Sequence, residues 1–258
     1  MSASLDVTAV ILAAGEGKRM ESDLAKVLHP LAGAPLLDHV LVACEQAGVP
    51  RAVVVVGARR EQVEAWLAER PRTAMDVRSA VQAEQRGTGH ALSCALPAID
   101  ALGPTRELVV LCGDAPLIRA QTIQDLVALH RSRHAGATIL TADLDDPTGY
   151  GRIVRTAAGD VERIVEHRDA SPAERALKEI NSADYVFDRA AVIAALAHVT
   201  NDNRQGEFYL TDTIALLRAE GRPILACKVA DAREVLGVNT PAQLAEAESA
   251  FLARAREG

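Results

Sequence analysis

The chain has 258 residues, of which 49% are apolar and 24% are charged, and its formal net charge is −7. This composition is typical of a globular protein with a sizeable core, and the acidic balance argues against a nucleic-acid partner, which would require a basic stripe. Four widely spaced cysteines without metal-ligand spacing predict free thiols in a reducing cytosol. With no signal-peptide pattern and no apolar run of 18 residues, we expect a cytoplasmic protein without a membrane partner.

The first predicted strand, Thr8–Ala14, leads directly into a glycine-containing loop that carries cationic side chains. Glycine lets backbone N–H groups approach an anion closely, and successive N–H groups form a concave nest for negative charge. Arg19 and Lys26 add full positive charges at the same end of the strand. Together these features predict a binding site for a nucleoside triphosphate.

Three other interpretations of this loop compete with a triphosphate site. A Walker A loop needs a glycine and a Ser or Thr at positions where this chain has Leu12 and Arg19. The dinucleotide fingerprint needs a third glycine where Met20 stands, and only Asp38 is a candidate for its acidic ribose ligand. A tight turn without any ligand stays open, because strand-to-helix turns often use glycine.

Short apolar runs alternate with helical patterns through the first half of the chain. The runs contain much Val, Ile and Leu and little polar alternation, which suits a parallel sheet buried on both faces. Predicted strands are Thr8–Ala14, Ala52–Gly57, Asp76–Gln82 and Glu107–Cys112, and predicted helices are Leu36–Ala47, Glu61–Glu69 and His90–Ala101. This order predicts an α/β fold with a doubly wound, mostly parallel, Rossmann-like sheet that binds ligands at the carboxyl ends of its strands.

The segment from Gln82 to Ala91 leaves a strand, presents two carboxamides and a Gly-Thr-Gly turn, and then enters a helix. A carboxamide offers a hydrogen-bond donor and an acceptor together, which suits the edge of a pyrimidine. The alternative is a capping loop in which Thr88 is only the N-cap of the helix.

Asp114 follows a buried strand and a glycine, and its carboxylate is well placed to bind Mg²⁺ beside a triphosphate. Magnesium takes one or two protein oxygens together with phosphate and water. Asn239 offers another hard oxygen at the end of an apolar run. Helix capping is the alternative for both residues, and for Asn239 taken alone it is the stronger one because Pro241 follows.

After about residue 135 the pattern changes to short strands separated by turns, which predicts a small antiparallel insertion closing over one side of the sheet. Oxygen-bearing side chains such as Glu166 and Asn181 at the ends of these strands suit the hydroxyls of a polyol. The predicted strands are Ala137–Leu144, Arg152–Arg155, Val161–Glu166, Glu179–Phe187 and Ile224–Val229, and the helices are Leu210–Ala219 and Pro241–Arg256. We expect one unit, 1–258, with a nucleotide-binding half over about 5–135, a sugar-binding half over about 136–240 and a C-terminal helix over 241–258.

Taken together and in order, these segments match a known family. The matching motifs run from residue 12 to residue 239: Leu12-Ala-Ala-Gly-Glu-Gly-Lys-Arg-Met, Lys26-Val-Leu-His, Gln82-Ala-Glu-Gln-Arg-Gly-Thr-Gly-His-Ala, Gly113-Asp-Ala-Pro-Leu, Pro147-Thr-Gly-Tyr-Gly-Arg-Ile-Val, Ile164-Val-Glu-His-Arg-Asp-Ala, Glu179-Ile-Asn, Gln205-Gly-Glu-Phe-Tyr-Leu-Thr-Asp and Gly237-Val-Asn. On these motifs the chain resembles the uridylyltransferase (pyrophosphorylase) domain of bacterial N-acetylglucosamine-1-phosphate uridylyltransferases, a group of sugar-nucleotide nucleotidyltransferases. The first motif marks the superfamily, and the motifs around Gln82 and Tyr150 are far more specific.

The resemblance implies a role for each matching residue. It implies catalytic neutralisation of phosphate charge by Arg19 and Lys26, and Mg²⁺ binding by Asp114 and Asn239. The implied nucleotide-binding residues are Leu12, Ala13, Ala14, Gly15, Gln82, Gly87 and Thr88, and the implied sugar-binding residues are Gly151, Glu166, Asn181 and Thr211. The implied substrates are UTP and N-acetylglucosamine 1-phosphate. The reaction gives imidazole no task, so the histidines, His90 included, are expected to be packing or surface residues.

The chain departs from the family pattern at Lys18, Ala25 and Ala183, where the family usually has threonine, proline and glycine. Lys18 adds a cation near the triphosphate, and Ala25 is expected to loosen the loop that carries Lys26, since proline fixes φ. Ala183 is expected to reshape the sugar pocket. The sequence has no hexapeptide repeats of the β-helix acetyltransferase domain that follows in bifunctional relatives, so we expect no acetyltransferase activity. Without that trimerising domain, the oligomeric state is left open.

Two other functions compete with uridylyl transfer to N-acetylglucosamine 1-phosphate. The same chemistry on another sugar 1-phosphate, such as a glucose or N-acetylgalactosamine type, differs only in the shape of the sugar pocket. A module that senses UTP without turnover has little need for the whole set of Arg19, Lys26, Asp114 and Asn239.

Overall fold

A computed structural model describes residues 5–71 and 73–257 of the chain. The strands are β1 (Thr8–Ala13), β2 (Pro30–Leu31), β3 (Ala34–Pro35), β4 (Arg51–Val56), β5 (Asp76–Val81), β6 (Glu107–Cys112), β7 (Ala137–Asp143), β8 (Gly151–Arg155), β9 (Val161–Val165), β10 (Glu179–Asp188) and β11 (Ile224–Lys228). The helices are α1 (Leu36–Ala47), α2 (Arg60–Glu69), α3 (Thr88–Ala101), α4 (Ala120–Ser132), α5 (Pro172–Arg175), α6 (Arg189–Leu196), α7 (Asp212–Ala219) and α8 (Pro241–Glu257).

The main sheet has the strand order β11-β7-β10-β6-β1-β4-β5. Strands β6, β1, β4 and β5 pair in parallel, as do β7 and β11, and only β10 runs antiparallel to its neighbours along this path. From β1 the chain proceeds to β4 and β5 on one side and returns to β6 on the other. The strand order therefore reverses between β1 and β6, and a crevice for ligands forms at the carboxyl ends of such strands.

Two apolar cores lie on opposite faces of this sheet, because successive side chains of a strand point to opposite sides. Along β1, Ala9 and Ile11 join the core that contains α1 and α4, whereas Val10 joins the core that contains α3, α6 and α7. The same alternation occurs along β4 and β6. This arrangement confirms the predicted doubly wound, mostly parallel α/β sheet.

Strand β10 connects the main sheet to a smaller antiparallel hairpin formed by β8 and β9. Its second half pairs with β6 from Tyr185 onward, and its first half pairs with β8 through Ile180 and Asn181. The register with β7 shifts between Asn181 and Tyr185, so a bulge separates these two halves. The antiparallel insertion is therefore this hairpin. The expectation that Ala137–Leu144 also belongs to it is wrong, because β7 lies inside the main sheet between β10 and β11.

The predicted elements agree with the structure to within one or two residues at most boundaries, and Leu36–Ala47 agrees at both ends. Helices α4, α5 and α6 and the small β2–β3 hairpin are additions to the predicted set. The predicted C-terminal helix corresponds to α8, although Gly258 and residues 1–4 lie outside the described residues. The four cysteines are free thiols, and none of the described helices is long and apolar enough to cross a bilayer.

Candidate functional site

The carboxyl ends of β1 and β6 meet at the point where the strand order reverses. Leu12 pairs with Cys112 in the parallel register, and just beyond it the Gly113 N–H donates a 3.0 Å hydrogen bond to the Leu12 carbonyl. This bond places Asp114 directly beside the glycine-containing loop that follows β1. A Cβ added to Gly113 would lie 3.1 Å from the Leu12 oxygen, so glycine allows this close contact.

Three predicted residues from distant parts of the sequence form one charged cluster. The Lys26 ammonium contacts the Asp114 carboxylate and donates a 3.0 Å hydrogen bond to Oδ1 of Asn239. The Lys26 and Asp114 side chains are only 13% and 17% exposed. The Val238 N–H donates to the Asp114 carbonyl at 2.8 Å, and the Asn239 N–H donates to Gln243 at 2.8 Å. Hydrogen bonds of their own backbones thus help to hold Asp114 and Asn239 beside Lys26.

The loop after β1 presents backbone donors toward this cluster. Gly17 has a left-handed backbone with φ +65°, and a Cβ there would lie 2.7 Å from the Lys26 Cβ, so this position requires glycine. Within the described residues, the N–H groups of Gly15, Glu16 and Gly17 have no acceptor. Free N–H groups beside a left-handed residue form the kind of nest that binds anions.

The cations of the loop differ in how they are held. Lys26 is enclosed, whereas Arg19 is exposed on the short 3₁₀ turn Lys18–Met20 and has no ion-pair partner among the described residues. The Lys18 side chain is 82% exposed and pairs with Glu16. The added cation at position 18 is therefore balanced by its own neighbour. A role of Arg19 in phosphate binding stays a prediction.

The carboxamide of Gln82 is fixed by two contacts. Its Nε2 donates to the Gly87 carbonyl at 3.0 Å and contacts Nδ1 of His90 at 3.1 Å. Because a carbonyl can only accept, Nε2 must face Gly87, and its second hydrogen faces a His90 Nδ1 that acts as the acceptor. No described residue donates to Oε1 of Gln82, so the acceptor oxygen of this buried side chain is left unused. His90 thus contacts the predicted base-binding residue instead of serving only as a packing residue.

The loop from Arg86 to Gly89 is paired with the segment that precedes α7. Gly87 is the N-cap of α3 without a side-chain capping bond, so the interpretation of Thr88 as an N-cap is wrong. Instead, the Thr88 hydroxyl accepts a 3.1 Å hydrogen bond from the Leu210 N–H. A Cβ on Gly87, whose φ is +103°, would lie 2.6 Å from the Phe208 oxygen. This pairing brings the predicted base-binding loop next to Thr211.

The predicted sugar-binding residues form a second cluster beside the first. The Thr211 hydroxyl donates to Glu166 Oε1 at 3.1 Å, and Asn181 Nδ2 donates to the Tyr185 hydroxyl at 2.7 Å. Gly151 pairs with Asn181 across β8 and β10. Burial raises the pKa of the Glu166 carboxyl above its ordinary value; the Thr211 hydrogen bond opposes this rise.

A cavity of about 240 Å³ joins the two clusters. The predicted residues that line it are Leu12, Thr88, Asp114, Gly151, Glu166, Asn181, Thr211 and Asn239. The predicted residues outside its lining are Ala13, Ala14, Gly15, Arg19, Lys26, Gln82 and Gly87. Lys26 reaches the cavity through its contacts with Asp114 and Asn239. Sequence reasoning missed Cys112, Tyr150 and Tyr185, although Tyr150 lies inside one of the specific motifs.

The bulge of β10, between Asn181 and Tyr185, forms part of the cavity wall. Ala183 adopts a left-handed backbone with φ +67°, a conformation that favours glycine. Next to it, Asp184 accepts a 2.8 Å hydrogen bond from the Cys112 N–H through Oδ1, and its buried Oδ2 has no partner among the described residues. Burial raises the pKa of Asp184 to about 7.

Comparison with known families and proteins gives consistent matches. The model of the family described as nucleotidyl transferase matches residues 8–235. The chain is 48% identical over 242 residues to the protein named bifunctional protein GlmU from Pelobacter propionicus, covering 94% of this chain and 51% of that one. It is 49% identical over 240 residues to the same-named protein from a Geobacillus species, covering 93% and 50%. The chain therefore spans about half the length of these curated relatives.

Solved structures with low sequence identity share the fold. A UDP-glucose pyrophosphorylase complexed with UDP-glucose superposes with a TM-score of 0.76 at 15% identity, covering 96% of this chain and 99% of that chain. A putative glucose-1-phosphate thymidylyltransferase from Bacillus anthracis, in complex with a sucrose, superposes with a TM-score of 0.75 at 20% identity, covering 95% and 94%. At these identities the likeness shows the fold alone.

Proposed function

The chain belongs to the nucleotidyl transferase family, and from this premise we propose that it transfers a uridylyl group from UTP to N-acetylglucosamine 1-phosphate. The products are UDP-N-acetylglucosamine and pyrophosphate. The observation that carries the proposal is the contact of Lys26 with Asp114 and Asn239, two residues that line the same cavity as Glu166 and Asn181. The identity of 47–49% with proteins named bifunctional GlmU supports the choice of sugar.

The nucleotide is proposed to bind across the carboxyl ends of β1 and β5. The free N–H groups from Gly15 to Gly17 are available to the phosphates, and Gln82 Oε1 is available to the base. An acceptor-only carboxamide suits the N3–H of uracil, whereas N3 of cytosine is itself an acceptor. The site therefore favours a uracil nucleotide through the orientation of one side chain.

The donor set at Asp114 and Asn239 fits Mg²⁺. A carboxylate oxygen and an amide oxygen both point at one cationic centre, the Lys26 ammonium. Mg²⁺ usually takes few protein ligands and completes its shell with phosphates and water, so two hard oxygens are sufficient. When bound, the ion would neutralise charge on the triphosphate and the leaving pyrophosphate. The two protein oxygens would orient it, and Lys26 would turn from Asp114 toward a phosphate.

The proposed reaction is an in-line displacement at the α-phosphorus of UTP. A phosphate oxygen of the sugar phosphate forms the new P–O bond, the bond to the β-phosphate breaks, and its electron pair leaves with pyrophosphate. A phosphate monoester has a second pKa of about 6, so the attacking oxygen is largely ionised at neutral pH and needs no general base. Catalysis then consists of positioning and charge neutralisation, which is the task of the Lys26 cluster.

Pyrophosphate release with Mg²⁺ and UTP, measured across a panel of sugar 1-phosphates, tests this proposal. We expect release with N-acetylglucosamine 1-phosphate and much slower release with glucose 1-phosphate and N-acetylgalactosamine 1-phosphate. Faster release with another sugar would retain the reaction and reject the proposed acceptor. UTP binding without release for any sugar would reject the transferase and favour a UTP-sensing module.

A further inference from the structure

The loop before Lys26 belongs to no helix or strand, yet its last residue has a defined conformation. Ala25 is 4% exposed, with φ −55° and ψ 134°. These angles are those that a proline ring imposes or allows. The backbone therefore does not show the loosening that we expected from Ala25. Some other contact must hold Ala25 in this conformation.

Gln62 of α2 supplies that contact through both ends of its carboxamide. Its Oε1 accepts a 2.7 Å hydrogen bond from the Ala25 N–H, and its Nε2 donates a 2.9 Å hydrogen bond to the Asp23 carbonyl. A single side chain thus bridges the two peptide groups on either side of Leu24. A proline at position 25 would have no N–H, so the first of these bonds requires a residue other than proline at that position.

Arg59, the N-cap residue of α2, adds two further contacts to the same loop. Arg59 donates a 3.1 Å hydrogen bond to the Leu24 carbonyl, and its guanidinium lies 3.6 Å from an oxygen of the Asp23 carboxylate. Helix α2 is itself anchored to the core by Val63, which is fully buried. The loop from Asp23 to Ala25 is therefore attached to a helix that rests on the main sheet.

We propose that Gln62 is a positioning residue for Lys26, performing with two hydrogen bonds the task that a proline at position 25 would perform covalently. The inference rests on the proposed function, because it gives Lys26 the task of neutralising phosphate charge. Lys26 immediately follows Ala25, so the Ala25 peptide sets the origin of the lysine side chain. Small displacements of a charge-stabilising group lower turnover without removing the group, because its effect depends on preorganised geometry.

A double-mutant cycle on Gln62 and Ala25 tests the inference. We expect Gln62→Ala to lower kcat by about 3- to 10-fold, the range for one or two hydrogen bonds, while the KM for UTP changes by less than about twofold. In an Ala25→Pro background, Gln62→Ala should change kcat by less than about twofold, because proline already restricts φ and leaves Gln62 only its bond to the Asp23 carbonyl. Glu61→Ala is the matched control, since Glu61 is an exposed neighbour on α2 that pairs with Arg60.

Equal effects of Gln62→Ala in the two backgrounds, or no effect in the natural background, would overturn the inference. A second measurement needs no turnover: hydrogen–deuterium exchange over residues 21–28 should be faster by about 3- to 10-fold in Gln62→Ala than in the natural chain or in Glu61→Ala. Unchanged exchange would also overturn the inference. Faster exchange in a chain that releases no pyrophosphate would reject the proposed function and leave the hydrogen-bonded bridge standing.

Discussion

The two ends of the cavity are built on different physical principles. At the end proposed to bind phosphate (the phosphate end), opposite charges meet: Lys26 contacts Asp114 and Asn239, and free backbone N–H groups lie nearby. At the end proposed to bind the sugar (the sugar end), the half-buried Glu166 carboxylate accepts a hydrogen bond from the Thr211 hydroxyl and has no ion-pair partner among the described residues. The first end suits a highly charged ligand, and the second suits neutral hydroxyl and amide groups.

This difference predicts how each end responds to ligands. In the proposed reaction, phosphate and Mg²⁺ compete with a contact that already exists inside the protein, so we expect the Lys26–Asp114 pair to separate when both substrates bind. The sugar end has its side chains already paired by hydrogen bonds, and a sugar hydroxyl can donate to the remaining lone pairs of Glu166. Substitutions at the phosphate end should therefore affect turnover, and those at the sugar end should affect acceptor binding.

The largest effect is expected for Lys26→Ala, which should lower turnover by about 10²-fold or more, the scale of losing one preorganised charge-stabilising group. Steady-state pyrophosphate release measures this loss. Lys18→Ala is the matched control, because its side chain is 82% exposed and pairs with Glu16, and it should change turnover by less than about twofold. Near-natural turnover in Lys26→Ala would contradict the proposal that Lys26 neutralises phosphate charge.

Asp184, in the bulge of β10, should make stability depend on pH. Burial raises its pKa to about 7, above the value of about 3.9 for an unfolded chain. The native state therefore retains a proton that the unfolded state loses, and this contribution to stability declines as pH rises from about 4 to 7. Asp184→Asn cannot titrate, so its stability relative to the natural chain should increase by about 2 to 3 kcal/mol between pH 5 and pH 8.

Urea unfolding at the two pH values measures this change. Exposed Asp160, substituted by Asn, serves as the control and should produce no comparable pH-dependent difference. Parallel pH profiles for Asp184→Asn and the natural chain would show that the bulge of β10 holds no such proton.

Glu166→Gln should raise the KM for the sugar 1-phosphate by about tenfold while leaving the KM for UTP unchanged, since a hydrogen bond to a charged acceptor is lost. Burial raises the pKa of Glu166, so its charged form is lost at a higher pH than for an ordinary glutamate. Acceptor affinity of the natural chain should fall as pH is lowered into that range, and the variant should lack this component. The substrate phosphate also titrates, and it does so equally in both proteins. The relevant measurement at each pH is therefore the KM for the sugar 1-phosphate in Glu166→Gln divided by that in the natural chain.

Glu162→Gln is the control for this experiment, because Glu162 is exposed on the same strand, β9. An equal rise in the KM for UTP in Glu166→Gln would mean that the two ends of the cavity are not functionally distinct.

The smallest effect is expected at His90, which acts through Gln82. His90→Leu removes the acceptor for one Gln82 hydrogen, so the ratio of kcat/KM for UTP to that for CTP should fall by about 3- to 10-fold. His90→Asn restores an acceptor oxygen close to the Nδ1 position and should recover most of that ratio. If the ratio of kcat/KM for UTP to that for CTP falls equally in both variants, the imidazole only packs against its neighbours and does not orient the Gln82 carboxamide.

The phosphate end was largely predictable from the sequence because its signals are local. A buried strand, a glycine-containing loop and a following cation lie within about 20 residues of one another, from Thr8 to Lys26. The same holds for Asp114 after the apolar run of β6. Helix α4 also had apolar residues at helical spacing, Ile123, Leu126 and Val127, and could have been predicted from them.

Contacts between distant segments were not predictable in the same way. Gln62 lies 37 residues from Ala25, and the bond from Leu210 to Thr88 joins residues 122 positions apart. Strand patterning shows that β7 is a strand, but its position between β10 and β11 depends on which edges pair, and the sequence pattern does not distinguish these pairings.

The sequence by itself therefore determined the class of fold, the order of most of its elements and some of the residues that line the cavity. Periodicity and turn chemistry act within a few residues, so a short segment of sequence is sufficient to predict each of these features. Only the tertiary structure decided how those side chains are oriented: Gln82 by His90, Ala25 by Gln62, and Lys26 between Asp114 and Asn239. Hydrogen-bond direction depends on distances of a few ångströms between segments that are remote in the chain, and folding alone brings them together.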